Sequence, residues 1–158
     1  NPYDANLDAY EAKKSQKFLN EQYSIFGTLN GHSEHSVTIM HLDVDDITSI
    51  RKKSMSPYDT SSLMFKIYSR MSEYFLSKNS LTFFMGGDNF MVVTNSEFKN
   101  FAKDFIKISK DEFQIELNCG IGTASTSRDA VKLATESLDT IREIRDAGKE
   151  KPEIYELN

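Results

Sequence analysis

Residues 83–93 read FFMGGDNFMVV. Apolar residues run into and out of a glycine pair, an acid and an amide. Segments 81–85 and 89–94 have strand composition, and Gly-Gly-Asp between them supplies turn chemistry, so the stretch reads as a hairpin. Its tip carries Gly86, Gly87, Asp88 and Asn89, and this placement asks for a reason.

The surrounding segments complete a pattern. Residues 37–44, VTIMHLDV, are β-branched and apolar without alternation, which fits a strand buried on both faces. The strand runs directly into Asp45 and Asp46. Residues 58–78 space Leu63, Ile67, Met71 and Phe75 for one helical face. Residues 96–109 do the same with Phe98, Phe101, Phe105 and Ile108. Residues 113–122, FQIELNCGIG, read as a strand. The clearest helix spans 127–145, with Ser127 as its cap and Ala130, Leu133, Ala134, Leu138, Ile141 and Ile144 as its buried face. The stretch IYEL, Ile154 to Leu157, forms a last strand.

Upstream, residues 4–26 read as a polar helix with a thin stripe of Leu7, Tyr10, Phe18 and Ile25, suited to a lead-in or dimerisation helix. Residues 27–36 are a turn-rich linker. The order β-α-β-β-α-β, with an extra helix at each end, is the α+β, ferredoxin-like palm arrangement. The expected division is an N-terminal helix and linker over 1–36 and a palm domain over 37–158.

Composition narrows the function. The 158 residues are 39% hydrophobic and 27% charged, which suits one domain with a core. A net charge of −5 argues against direct nucleic-acid binding or a membrane-surface role. It leaves room for a phosphate ligand held by local positive groups and a metal. The single cysteine, Cys119, precludes an intrachain disulfide and fits a reducing, cytoplasmic location. Within its strand it reads as a small buried hydrophobe. No apolar run approaches the roughly 18–20 residues of a membrane span. The sequence begins at Asn1 rather than Met, which leaves room for a further N-terminal part.

In a palm the first strand is central and the hairpin lies next to it. Asp43, Asp45 and Asp46 at the end of that strand and Asp88 at the hairpin tip then share one sheet edge. Clustered carboxylates repel unless a cation neutralises them, and all-oxygen donors select a hard ion such as Mg²⁺ or Mn²⁺. Gly86 and Gly87 let the backbone approach a bulky phosphate ligand. Arg51, Lys52 and Lys53, or Arg142, Arg145 and Lys149, are candidate phosphate partners. His32, His35 and His41 lack zinc-ligand spacing and read as packing or solvated residues.

HLDVDDIT, SPYDT, FFMGGDNF and IELNCGIGTASTSRDAVKLATESL together resemble the GTP cyclohydrolase III family, over residues 37–145. The match is to the C-terminal palm of the archaeal-type enzymes. GGDEF diguanylate cyclases, which share the palm, carry an acid where this chain has Asn89. The resemblance implies a metal-dependent enzyme that opens the imidazole ring of GTP with pyrophosphate release, giving a formylamino-pyrimidine ribonucleotide monophosphate. It implies that Asp43, the Val44 carbonyl and Asp88 hold two Mg²⁺ or Mn²⁺ ions. Asp45 and Asp46 would flank that site, with Asp46 in the catalytic set. Asn89 would contact the nucleotide, and Tyr58, Asp59, Gly86, Gly87 and Lys149 would line its binding site.

The family carries two palms in one chain and this sequence has one, which implies a homodimer. A single palm also resembles the minimal CRISPR polymerases. That likeness implies the alternative of a synthase joining ATP or GTP into cyclic dinucleotides or oligonucleotides in antiphage defence. A non-catalytic nucleotide-binding palm is a third class, against which the presence of both Asp43 and Asp88 counts.

Overall fold

A computed structural model describes residues 36–45, 56–94 and 98–158. Helix 4–26, most of the linker, Asp46, His32, His35, Arg51, Lys52 and Lys53 lie outside these residues. The elements are β1 (Val37–Val44), α1 (Pro57–Leu76), β2 (Leu81–Gly86), β3 (Asn89–Thr94), α2 (Phe98–Phe113), β4 (Leu117–Ala124), α3 (Ser127–Asp146) and β5 (Ile154–Leu157).

Strand β1 is apolar on both faces because it is the middle of a five-stranded sheet, ordered β2-β3-β1-β4-β5. It pairs antiparallel with β3 and with β4, and β5 lies parallel to β4. The first four strands with α1 and α2 are the expected palm, and α3 and β5 extend it.

Side chains alternate across the sheet. Met40, Leu42, Val44, Phe90, Val92, Leu117, Cys119 and Ile121 meet Met64, Ile67, Met71, Phe75 and Phe105 of α1 and α2 in one core. Each large apolar side chain buried there contributes about 1.5–3 kcal/mol relative to exposure. On the other face, Ile39 packs with Ala130 and Ala134 of α3. That face is sparse because α3 lies directly on β4. A Cβ on Gly120 would come 2.2 Å from the Ala134 carbonyl oxygen, and one on Gly122 would come 2.3 Å from that of Ala130.

Several boundaries differ from the periodicity reading. Helix α1 starts at Pro57, behind a capping box in which Ser56 Oγ accepts from the Asp59 N–H and the Asp59 carboxylate accepts from the Ser56 N–H. Helix α2 continues to Phe113 rather than stopping at 109, and Gln114, at φ +55, ends it. Strand β4 therefore begins at Leu117, not 113. Thr126, not Ser127, caps α3: its Oγ1 accepts from the Asp129 N–H at 3.1 Å. No helix among the described residues is long and apolar enough to cross a membrane.

Candidate active site

The hairpin closes with Gly86 paired to Asn89, leaving Gly87 and Asp88 as a two-residue turn. Gly87 has φ +64 and Gly86 has φ +99, conformations that glycine adopts without strain. Among the described residues nothing lies within 4 Å of a Cβ built on either glycine.

The tip is stitched to the end of β1. Asp43 is registered opposite Asn89, and the Val44 N–H donates to the Asp88 carbonyl at 3.3 Å. Asp43, Val44, Asp88 and Asn89 thus meet at one end of the sheet, although 45 residues separate Asp43 from Asp88. The Asp88 carboxylate accepts from the Asn89 amide at 2.8 Å.

Asp43 has a different environment. It is 5% exposed and faces α3. Its Oδ2 accepts from Arg142 Nε at 3.1 Å and Nη2 at 2.7 Å, and its Oδ1 accepts from Asn118 Nδ2 at 3.0 Å. Burial alone would lower the Arg142 pKa, but the bonds and charge of Asp43 and Asp139 raise it above the ordinary value. Arg142 is therefore a permanent cation beside Asp43.

A second pair sits alongside. Asp45 accepts from Lys151 at 2.9 Å and from Arg145 and Asn118 at 3.3 Å. Burial pushes the Asp45 carboxyl up. The bonds from Lys151, Asn118 and Arg145 outweigh it and hold the group below the usual carboxylate range. Lys151 also donates to the Asn118 Oδ1 at 2.6 Å, closing the network. Asn118, Lys151 and Asp139 were not singled out from sequence. Asn118 had a signal: it is the polar member of the period-two alternation Leu117, Cys119, Ile121 against Asn118, Gly120, Gly122.

Other expected site residues are placed apart. A cleft of about 320 Å³ lies between the start of α1 and the hairpin, lined by Pro57, Thr60, Ser61, Met64, Phe65, Phe84 and Gly87. Tyr58, 86% exposed, and Asp59 are beside this cleft in sequence but not in its lining. Asp59 is engaged in the capping box. Lys149 is exposed past the end of α3, outside the carboxylate network. Cys119 is fully buried, and burial, with the Asp43 charge, pushes its thiol pKa up, so it behaves as a core residue.

The oxygen donors at this end of the sheet are of the kind a hard divalent cation takes. Asp43 and Asp88 contribute two carboxylates, and no donor among the described residues reaches Asp88 Oδ2. Among the described residues no three acidic, histidine or cysteine side chains converge as a complete metal cage. Mg²⁺ suits such a partial set, because it keeps water and takes substrate phosphate oxygens.

The sequence profile of GTP cyclohydrolase III matches residues 1–153. The chain belongs to the GTP cyclohydrolase III family. The GTP cyclohydrolase III of Methanocaldococcus jannaschii is 41% identical over 108 residues, 67% of this chain and 40% of that protein. The GTP cyclohydrolase III of Methanothermobacter thermautotrophicus is 32% identical over 146 residues, 89% of this chain and 57% of that protein. The chain spans about half the length of the curated relatives it matches.

Among solved structures, the active GGEEF domain of a diguanylate cyclase from Vibrio cholerae superposes with a TM-score of 0.57 at 14% identity, covering 78% of this chain and 85% of that one. The monomeric guanylyl cyclase domain of the RhoGC fusion protein from Blastocladiella emersonii gives 0.55 at 21% identity, covering 67% and 75%. These likenesses show the fold, a cyclase-type palm.

Proposed function

We propose that the chain acts on GTP at the junction of β1 and the β2–β3 hairpin, opening the purine imidazole ring to give a formylamino-pyrimidine ribonucleotide monophosphate, with loss of the two outer phosphates. One observation carries the reading: Asp43 and Asp88 meet at one end of the sheet in a chain whose profile is that of GTP cyclohydrolase III. Asp43, the Val44 carbonyl and Asp88 would hold Mg²⁺ or Mn²⁺, in one or two positions. A divalent ion there supplies Lewis-acid activation of water and of phosphoryl oxygens.

The chain's own groups do the rest. Asn89 holds the Asp88 carboxylate. Asn118 and Arg142 hold Asp43. Arg145 and Lys151, beside Asp45, and Lys149 past the end of α3 offer positive charge to a triphosphate. The cleft between α1 and the hairpin, apolar through Met64, Phe65 and Phe84, is at the small end of ligand sites and suits a base. Asp46 stays in the catalytic set on the resemblance alone.

The second palm of the family would come from another copy of the chain, as a homodimer. A cyclic-nucleotide synthase is the alternative reading, favoured by the single palm among the described residues. The residue test is Asp88→Asn, which removes charge at the hairpin turn. Turnover should fall by more than about 100-fold with little change in thermal midpoint. Wild-type turnover in that variant would remove Asp88 from the site.

A further inference from the structure

A single line of side chains joins Asp88 to helix α3. Asn89 Nδ2 lies 2.8 Å from Asp88 Oδ1. Asn89 Oδ1 lies 3.1 Å from His41 Nε2. His41 Nδ1 lies 3.2 Å from Thr135 Oγ1, which also reaches the Val131 carbonyl at 3.0 Å. The line crosses β3 and β1 and ends on α3, so it ties the hairpin tip to the far layer of the domain.

Both links made by Asn89 have one permitted direction. An ionised carboxylate only accepts, so Asn89 must present its NH₂ to Asp88. The Asn89 carbonyl oxygen then faces His41, and Nε2 must carry the hydrogen. Thr135 Oγ1, 3.2 Å from His41 Nδ1, donates to the Val131 carbonyl. The other tautomer sets the bare Nε2 against the Asn89 oxygen. Flipping the amide to rescue that contact sets its oxygen against the Asp88 carboxylate. Both alternatives face acceptor to acceptor across a half-buried contact.

We propose that His41 is a positioning residue which, by donating its Nε2–H to the Asn89 carbonyl oxygen, fixes the orientation of the Asn89 amide and through it the Asp88 carboxylate. The role rests on the reading of Asp88 as a ligand of a divalent cation. It is the arrangement expected of a group behind a metal ligand, where loss typically weakens binding by about 10–100-fold.

Two measurements test it. Long-range ¹H–¹⁵N correlation NMR of the wild-type chain reads the tautomer directly and needs no variant to fold. Mn²⁺ titration without nucleotide then compares wild type, His41→Leu and His41→Gln, with thermal midpoints as the structural control. The Gln amide N–H reaches toward the same acceptor, whereas Leu has no donor. The expected results are a hydrogen on Nε2, Mn²⁺ binding weakened about 10-fold or more in His41→Leu, and most of that affinity restored in His41→Gln. An Nε2 without a hydrogen, or His41→Leu binding Mn²⁺ as wild type does, overturns the positioning role and leaves the metal site standing. Wild type that binds no Mn²⁺ overturns the metal reading, and the positioning role with it. An Nε2–H tautomer in that case would mark the line as purely structural.

Discussion

Asp43 and Asp88 are the same residue type with opposite surroundings. Asp88 sits on the hairpin turn with one amide partner, and Asp43 is buried against Arg142 and Asn118. Removing them should therefore have different side effects. Asp43→Ala leaves a half-buried guanidinium without its carboxylate and should lower stability by about 1–3 kcal/mol, read by urea unfolding. Asp88→Ala should be close to neutral for the fold. Equal stability losses would contradict the assigned partners.

Asp45 adds a pH signature. Its folded pKa lies below the unfolded value, so its contribution is present above about pH 4 and fades as pH falls through the folded pKa. Asp45→Asn should cost about 1–2 kcal/mol near neutral pH. The gap to wild type should close in acid. A gap that is constant with pH would show that charge is not the source. None of these partners was legible in the chain, because Asp43 lies 99 residues from Arg142 and 75 from Asn118. Only the register of β1 on β4 and the seat of α3 bring them together.

At the scale of elements, periodicity identified the strands and helices well, because each has one or two faces set by burial. It failed at ends, where a single residue decides. The FQIEL stretch alternates like a strand, yet its first residue finishes α2, since Gln114 in the left-handed region turns the chain before β4 begins. The cap of α3 was misplaced by one residue within Ser125-Thr126-Ser127, all of which are good caps. Ser56→Ala should remove about 1 kcal/mol through the α1 capping box, measured as a lower thermal midpoint. Gly120→Ala should do far worse, beyond about 4 kcal/mol, because the new Cβ meets the backbone of α3 at 2.2 Å and 2.4 Å. A Gly120→Ala chain with a wild-type midpoint would mean that α3 does not rest on β4.

For the molecule as a whole, the β-α-β-β-α-β order led to the palm, and in the sheet the acidic end of β1 lies beside the hairpin, as that arrangement requires. The bases of specificity were less legible. The α1–hairpin cleft is formed by residues such as Thr60, Ser61 and Phe84 that read as ordinary helix and strand positions. Tyr58 and Asp59, chosen by resemblance, flank it instead. Since the chain spans about half of its relatives, the proposed homodimer has its own check. Sedimentation at micromolar concentration should show a species of two chains, and full activity in an 18.0 kDa species would contradict it.

The most direct measurement of the central claim is the product formed from GTP, with ATP in parallel, in the presence of Mg²⁺ or Mn²⁺, resolved by mass spectrometry. The account predicts a monophosphate with the mass of GMP plus one water, accompanied by pyrophosphate or inorganic phosphate. A cyclic dinucleotide or oligonucleotide with the purine ring intact, or no consumption of GTP, would contradict it.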